Sequence, residues 1–102
     1  TTAANSTFVG HSAGQGITGT KLTGNGNVAI GTSSGLVLQG AATDNAYVGA
    51  GSGAGTTTGG SNSSLGADSA PSITTGSNNL MLGHDAGRTG SPGGNITTES
   101  NF

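Results

Sequence analysis

The sequence predicts an all-β fold, a β-solenoid or parallel β-roll of about five coils, and three observations carry that expectation. A glycine preceded by an aliphatic residue recurs at Gly10, Gly31, Gly49, Gly66 and Gly83, spaced by 21, 18, 17 and 17 residues. Self-similarity of this kind marks stacked repeats, each too small to bury a face alone. The composition fits neither an ordinary globular domain nor a typical solvated tail, and leaves the decision to the periodicity. Leu, Ile, Val and Phe make up only 16 of 102 residues, too few for an ordinary core. Yet the net charge is −2 with two prolines, unlike the charged, proline-rich make-up of a disordered tail. Third, the segments around each glycine stay in column register over about nine positions, as "STFVGHSAG", "NVAIGTSSG", "NAYVGAGSG", "NSSLGADSA" and "NLMLGHDAG".

The chain divides accordingly into units near 5–25, 26–43, 44–60, 61–77 and 78–100, with a partial unit from 101. The closing "ESNF" places Asn101 and Phe102 at the opening of a sixth unit, and the chain starts at Thr1 without a Met. The expectation is a single array cut from a longer fibre. Each unit offers one strand of about four residues, whose alternate side chains point to opposite faces. The column before the glycine, Val9, Ile30, Val48, Leu65 and Leu82, is aliphatic throughout and is expected to form the structural core. The glycines themselves suit corners that need a positive φ or close backbone approach. Four residues before each glycine stand Ser6, Asn27, Asn45, Asn62 and Asn79, and the four asparagines are expected to ladder their amides along the stack. Three residues after it the side chain is always small, at Ala13, Ser34, Ser52, Ser69 and Ala86.

Two residues before the glycine come Phe8, Ala29, Tyr47, Ser64 and Met81. Alternation puts this column on the face opposite the aliphatic one, so Phe8, Tyr47 and Met81 are expected at an interface. Only a surface with the same repeat keeps register with it, which points to self-association.

At "NVAIGTSSG", "NAYVGAGSG" and "NLMLGHDAG" the chain resembles the N-x-x-I-G-x-x-S/A coils of YadA-like trimeric adhesin heads. Its longer spacing, with "TTGGSN" and "TTGSNN" before the strand, is similar to repeats in bacteriophage tail-fibre proteins. The resemblance implies a parallel homotrimer of β-rolls, a virion location or alternatively a bacterial cell surface, and attachment to host-surface glycans or another receptor. Coils of 17–21 residues are longer and less uniform than those of adhesin heads.

Candidate chemistry is sparse. His11 and His84 share the column after the glycine and Asp85 adjoins the second; these three are weak metal candidates, and around a threefold axis the imidazoles would converge. Asp68 and Asp85 share another column, where a cation between coils is conceivable. Catalysis is not expected: the serines and histidines repeat as structural columns, and no carboxylate pair stands outside the repeat. The G-x-G fragments in "GQGITG" and "GNGNVAIG" lack a Walker lysine, so no nucleotide cofactor is expected. Lys21 and Arg88 are the only strong cations, too few for nucleic acid, and no apolar run is long enough for membrane insertion. Sequons at Asn5, Asn62 and Asn95 coincide largely with the repeat.

The leading expectation is a rigid trimeric spacer of a phage tail fibre, with segments 16–26, 36–44 and 88–100 as possible receptor-binding loops. The alternatives are a bacterial trimeric adhesin head and, in another class, an ice-binding solenoid suggested by Thr18, Thr20, Thr56, Thr57, Thr58, Thr74 and Thr75.

Overall fold

In the computed structural model, residues 5–88 are described. The partial unit from 101, Asn95, Glu99 and the part of segment 88–100 after Arg88 lie outside them. The described residues contain no helix and five strands: β1 (Thr7–Val9), β2 (Val28–Ile30), β3 (Ala46–Val48), β4 (Ser63–Leu65) and β5 (Leu80–Leu82). They form one sheet in sequence order, every neighbouring pair parallel. The register follows the columns: Thr7, Val28, Ala46, Ser63 and Leu80 stack, as do Phe8 with Ala29 and Tyr47, and Val9 with Ile30 and Val48. Parallel neighbours in sequence order require a full turn of chain between strands, so the fold is a β-solenoid.

The return arms stack as well as the strands. The N–H of Gly14 donates to Ser34 O at 2.9 Å, Gly35 to Ser52 O at 2.9 Å, Gly53 to Ser69 O at 2.8 Å and Ala70 to Ala86 O at 2.7 Å. On another side Gln39 donates to Thr57 O and Thr57 to Thr74 O. At the corners Gly31, Gly49, Gly66 and Gly83 each donate back to the aliphatic residue one coil earlier, at 2.8–2.9 Å. These corner glycines have φ between +117° and +142°, a region essentially closed to L side chains. A Cβ on Gly49 would also sit 2.5 Å from the Gly66 carbonyl oxygen.

The two faces of the sheet are the reverse of the sequence expectation. Val9, Ile30, Val48, Leu65 and Leu82 are not the core: they point outward, from 36% exposed at Val48 to 72% at Leu82. Phe8, Tyr47 and Met81 are not at an outer interface either. Tyr47 and Met81 are buried in the lumen with Ala29 and Ser64, and Phe8 packs half-buried against the same cluster. The cause is parity. The rung asparagines are buried, and they stand two residues before the Phe8–Tyr47–Met81 column but three before the aliphatic one. With a side-chain period of two, the ladder and the aliphatic column cannot both face inward.

The lumen is narrow and nearly every coil fills it with one bulky side chain. Where the strand supplies a small residue, the return arm supplies a large one: Leu38 in the coil of Ala29, Ile73 in the coil of Ser64. Leu22 adds to the cluster around Ala29 and Tyr47. Segment 36–44 is therefore no surface insertion, since Leu38 and Ala42 are fully buried. Fourth after the corner, Gly14, Gly53 and Gly87 leave space that the Phe8 ring, the Tyr47 ring and the Met81 sulfur occupy. Ala70 replaces glycine in the unit whose strand residue is Ser64.

Candidate functional site

One repeating feature of the described surface is the outward face of the sheet. Each strand contributes its first and third side chains: Thr7 and Val9, Val28 and Ile30, Ala46 and Val48, Ser63 and Leu65, Leu80 and Leu82. Leu80 is 44% exposed, so the aliphatic stripe widens to two columns at the β5 end. Five strands at about 4.8 Å and three residues at about 3.3 Å make this face roughly 24 by 10 Å. None of its side chains is charged. Apart from the Thr7 and Ser63 hydroxyls this face is an apolar strip of fixed pitch, suited to binding by shape and burial.

The asparagine ladder runs along the entry to strands β2 to β5. Asn45 donates from Nδ2 and its backbone N–H to Asn27 Oδ1, at 2.9 and 3.2 Å. Asn62 does the same to Asn45 Oδ1 at 3.1 and 3.0 Å, and Asn79 to Asn62 Oδ1 at 2.9 and 3.1 Å. Each Nδ2 also has a backbone acceptor: Ala42 O for Asn27, Gly59 O for Asn45, Gly76 O for Asn62 and Ser77 O for Asn79. Ser6 ends the ladder at the first coil, its Oγ accepting the Asn27 N–H at 3.2 Å. Beside the ladder the Tyr47 hydroxyl lies 2.9 Å from Thr56 Oγ1 and 3.2 Å from Asn45 Oδ1, its one proton shared between these two contacts. Burial pushes the Tyr47 phenol up to about 12, with the Thr56 hydroxyl opposing.

Sequence reading overlooked a second buried chain, made of serines. Ser34 Oγ reaches Ser52 O, Ser52 Oγ lies 2.8 Å from Ser64 Oγ and 3.2 Å from Ser69 Oγ, and Ser64 and Ser69 touch each other through their hydroxyls. The always-small column after the corner was its signal. Buried polar residues in the described chain, nine of them, outnumber the eight buried apolar ones, so hydrogen bonding specifies this interior as much as burial does.

The titratable candidates sit at the rim. His11 and His84 are both exposed and four coils apart, about 19 Å at the pitch of a parallel sheet, so one chain does not bring them together. His84 instead meets Asp68 and Asp85, whose ligand atoms and its own all lie within 4.8 Å of one another. Asp85 is already engaged: Arg88 Nη1 donates to its Oδ1 at 2.8 Å, and His84 Nδ1 lies 3.5 Å from its Oδ2. That carboxylate raises the pKa of the Arg88 guanidinium through the hydrogen bond and its charge. Asp68 and Asp85 occupy positive-φ positions, at 52° and 60°, that carboxylate residues tolerate well. With the His84 side chain 70% exposed, this set is solvated and partly neutralised, a poor cage for a cation.

Of the loops, 16–26 is at the surface except for the buried Leu22, and Gln15, Ile17, Thr20 and Lys21 line a shallow depression there. The threonines do not form one flat face: Thr56 is buried, and Gln39 continues the Thr57–Thr74 column.

Comparison with protein families, curated proteins and solved structures returned no match.

Proposed function

We propose that this chain is a structural and adhesive segment, a rigid β-solenoid spacer that associates with copies of itself through the outward sheet face as a parallel homotrimer. The outward aliphatic stripe is the observation that carries this reading. It repeats with the pitch of the coils, and only a surface of the same pitch meets every rung. The interface column is thus Val9, Ile30, Val48, Leu65 and Leu82, where the sequence alone pointed to Phe8, Tyr47 and Met81. The trimer, and placement in a phage tail fibre that carries a host-attachment tip, rest on the resemblance of the N-x-x-x-G coils to tail-fibre and adhesin-head repeats. The role is mechanical: a hydrogen-bonded polar lumen resists bending, and receptor contact falls to surface loops such as 16–26 or to a distal tip.

Burying six half-exposed aliphatic side chains is worth about 1 kcal/mol each. That sum is similar to the ~4–15 kcal/mol lost on association, so five coils associate in a concentration-dependent way and longer arrays more tightly. Light-scattering mass across a concentration series tests it. The expected result is a rise from 9.5 kDa toward three times that value, abolished by Val48→Lys. A mass of one chain at every concentration contradicts the proposal.

A further inference from the structure

Among the described residues, the hydrogen-bond pattern that joins the coils ends at β5, and its unmatched groups define what fits there. Each inner rung oxygen receives two donors from the coil above, a backbone N–H and an Nδ2. Asn79 Oδ1 is equally buried, the residue being 2% exposed, and has no hydrogen-bond partner among the described residues. Two more groups point the same way. The N–H groups of Thr7, Val28, Ala46 and Ser63 donate to the carbonyl of the next rung residue at 2.7–2.8 Å; Leu80, next in that column, has no such acceptor among the described residues. The corner glycines from Gly10 to Gly66 each have the next corner's carbonyl against the position a Cβ would take, whereas Gly83 has nothing within 4 Å.

We propose that the β5 edge is a strand-accepting site, and that its occupant is one further coil of this same repeat. It enters parallel, with an asparagine on the rung above Asn79 and a glycine above Gly83. The chemistry selects this occupant. Asn79 Oδ1 needs the two donors that an asparagine N–H and Nδ2 supply together, and Leu80 N–H needs that same residue's carbonyl. The Leu82 carbonyl needs an N–H four residues later, and Gly83 admits a close backbone only from a corner that itself lacks a side chain. A serine on that rung, as in the first coil, offers a shorter hydroxyl in place of the Nδ2 donor. This is β-augmentation with a polar key. It rests on the ladder and not on pairing of the outward faces, so a failure of the homotrimer leaves it standing.

The test appends a copy of residues 44–60 to the full chain through a flexible Gly/Ser linker, which holds the added coil near millimolar effective concentration. Amide exchange is read at Leu80, with Ser63, in the same column, as the internal reference. The added coil is expected to slow Leu80 exchange by about tenfold or more, and an alanine at its rung position is expected to remove that effect. Asn79→Ala in the receiving chain removes it too. Unchanged Leu80 exchange overturns the proposal, as does equal protection by the alanine-bearing coil, which would make the edge indifferent to sequence. Protection of Leu80 in the untethered chain that rises with concentration also overturns it, since the occupant is then the first coil of a second copy.

Discussion

Removing an asparagine from the middle of the ladder should cost far more than removing the one at its end, although the residues are chemically identical. Asn62 makes four side-chain hydrogen bonds: Nδ2 to Asn45 Oδ1 and Gly76 O, and Oδ1 from the N–H and Nδ2 of Asn79. In Asn62→Ala, Asn45 Oδ1 keeps the Asn62 N–H and Asn79 Nδ2 keeps Ser77 O. The Gly76 carbonyl and the Asn79 N–H are left buried without partners. At about 1–3 kcal/mol for each orphaned group, the cost is about 2–6 kcal/mol, much of the stability of a typical domain. In Asn79→Ala, Asn62 Oδ1 keeps the Asn79 N–H, the half-buried Ser77 carbonyl loses a donor that water can replace, and an already unpartnered oxygen disappears, so the loss is near 1 kcal/mol. Urea unfolding of both variants at one protein concentration, followed by far-ultraviolet dichroism, reads the difference directly. Equal destabilisation would refute the claim that ladder position sets the cost.

Other outcomes follow from the same geometry. Gly49→Ala and Gly83→Ala share the strain of a positive φ, about 1–3 kcal/mol, but only Gly49 would also drive a Cβ into the next corner's carbonyl. Denaturant midpoints should therefore fall markedly further for Gly49→Ala, and equal midpoints would show that the corners do not stack. Tyr47 is the only tyrosine and the chain has no tryptophan, so phenolate absorbance reports it alone. Its folded pKa of about 12 lies above the unfolded 10.0. The folded state therefore holds the proton longer, and stability present below pH 10 is lost as pH rises toward 12, by about 1.4 kcal/mol per pH unit. A native-state titration midpoint near 10 would place the ring in water. Finally, Gly53→Ala pushes a Cβ into the Tyr47 ring. Because the unit with Ala70 carries Ser64, Gly53→Ala should cost clearly less on a Tyr47→Ser background, which a double-mutant cycle measures.

Much of the fold was legible in the columns. The corner glycines, the length of each coil and the asparagine positions all coincide with structural features, because stacking forces equivalent residues into equivalent environments. The inside and outside of the strand were not, because hydrophobicity was given precedence over parity. An aliphatic column looks like core until the buried asparagines three residues earlier are counted, and then it must face out. Pairing of residues within a unit also carried the information: Phe8 with Gly14, Tyr47 with Gly53 and Met81 with Gly87, against Ser64 with Ala70. Leu38 and Ile73 stayed hidden because they lie on return arms of unequal length, where no column aligns them. The cluster of Asp68, His84 and Asp85 was half-visible as shared columns, but the Arg88 contact that occupies Asp85 depends on a turn the repeat does not specify.

The orientation of the aliphatic column and its pairing with copies of itself can be tested together by cysteine crosslinking, since the chain has no cysteine of its own. Val48→Cys, mildly oxidised, is predicted to give covalent pairs of chains. An equimolar mixture of Val9→Cys and Leu82→Cys is predicted to give only like-with-like pairs, as parallel register demands. No covalent pairs from Val48→Cys, or Val9–Leu82 pairs in the mixture, would contradict it.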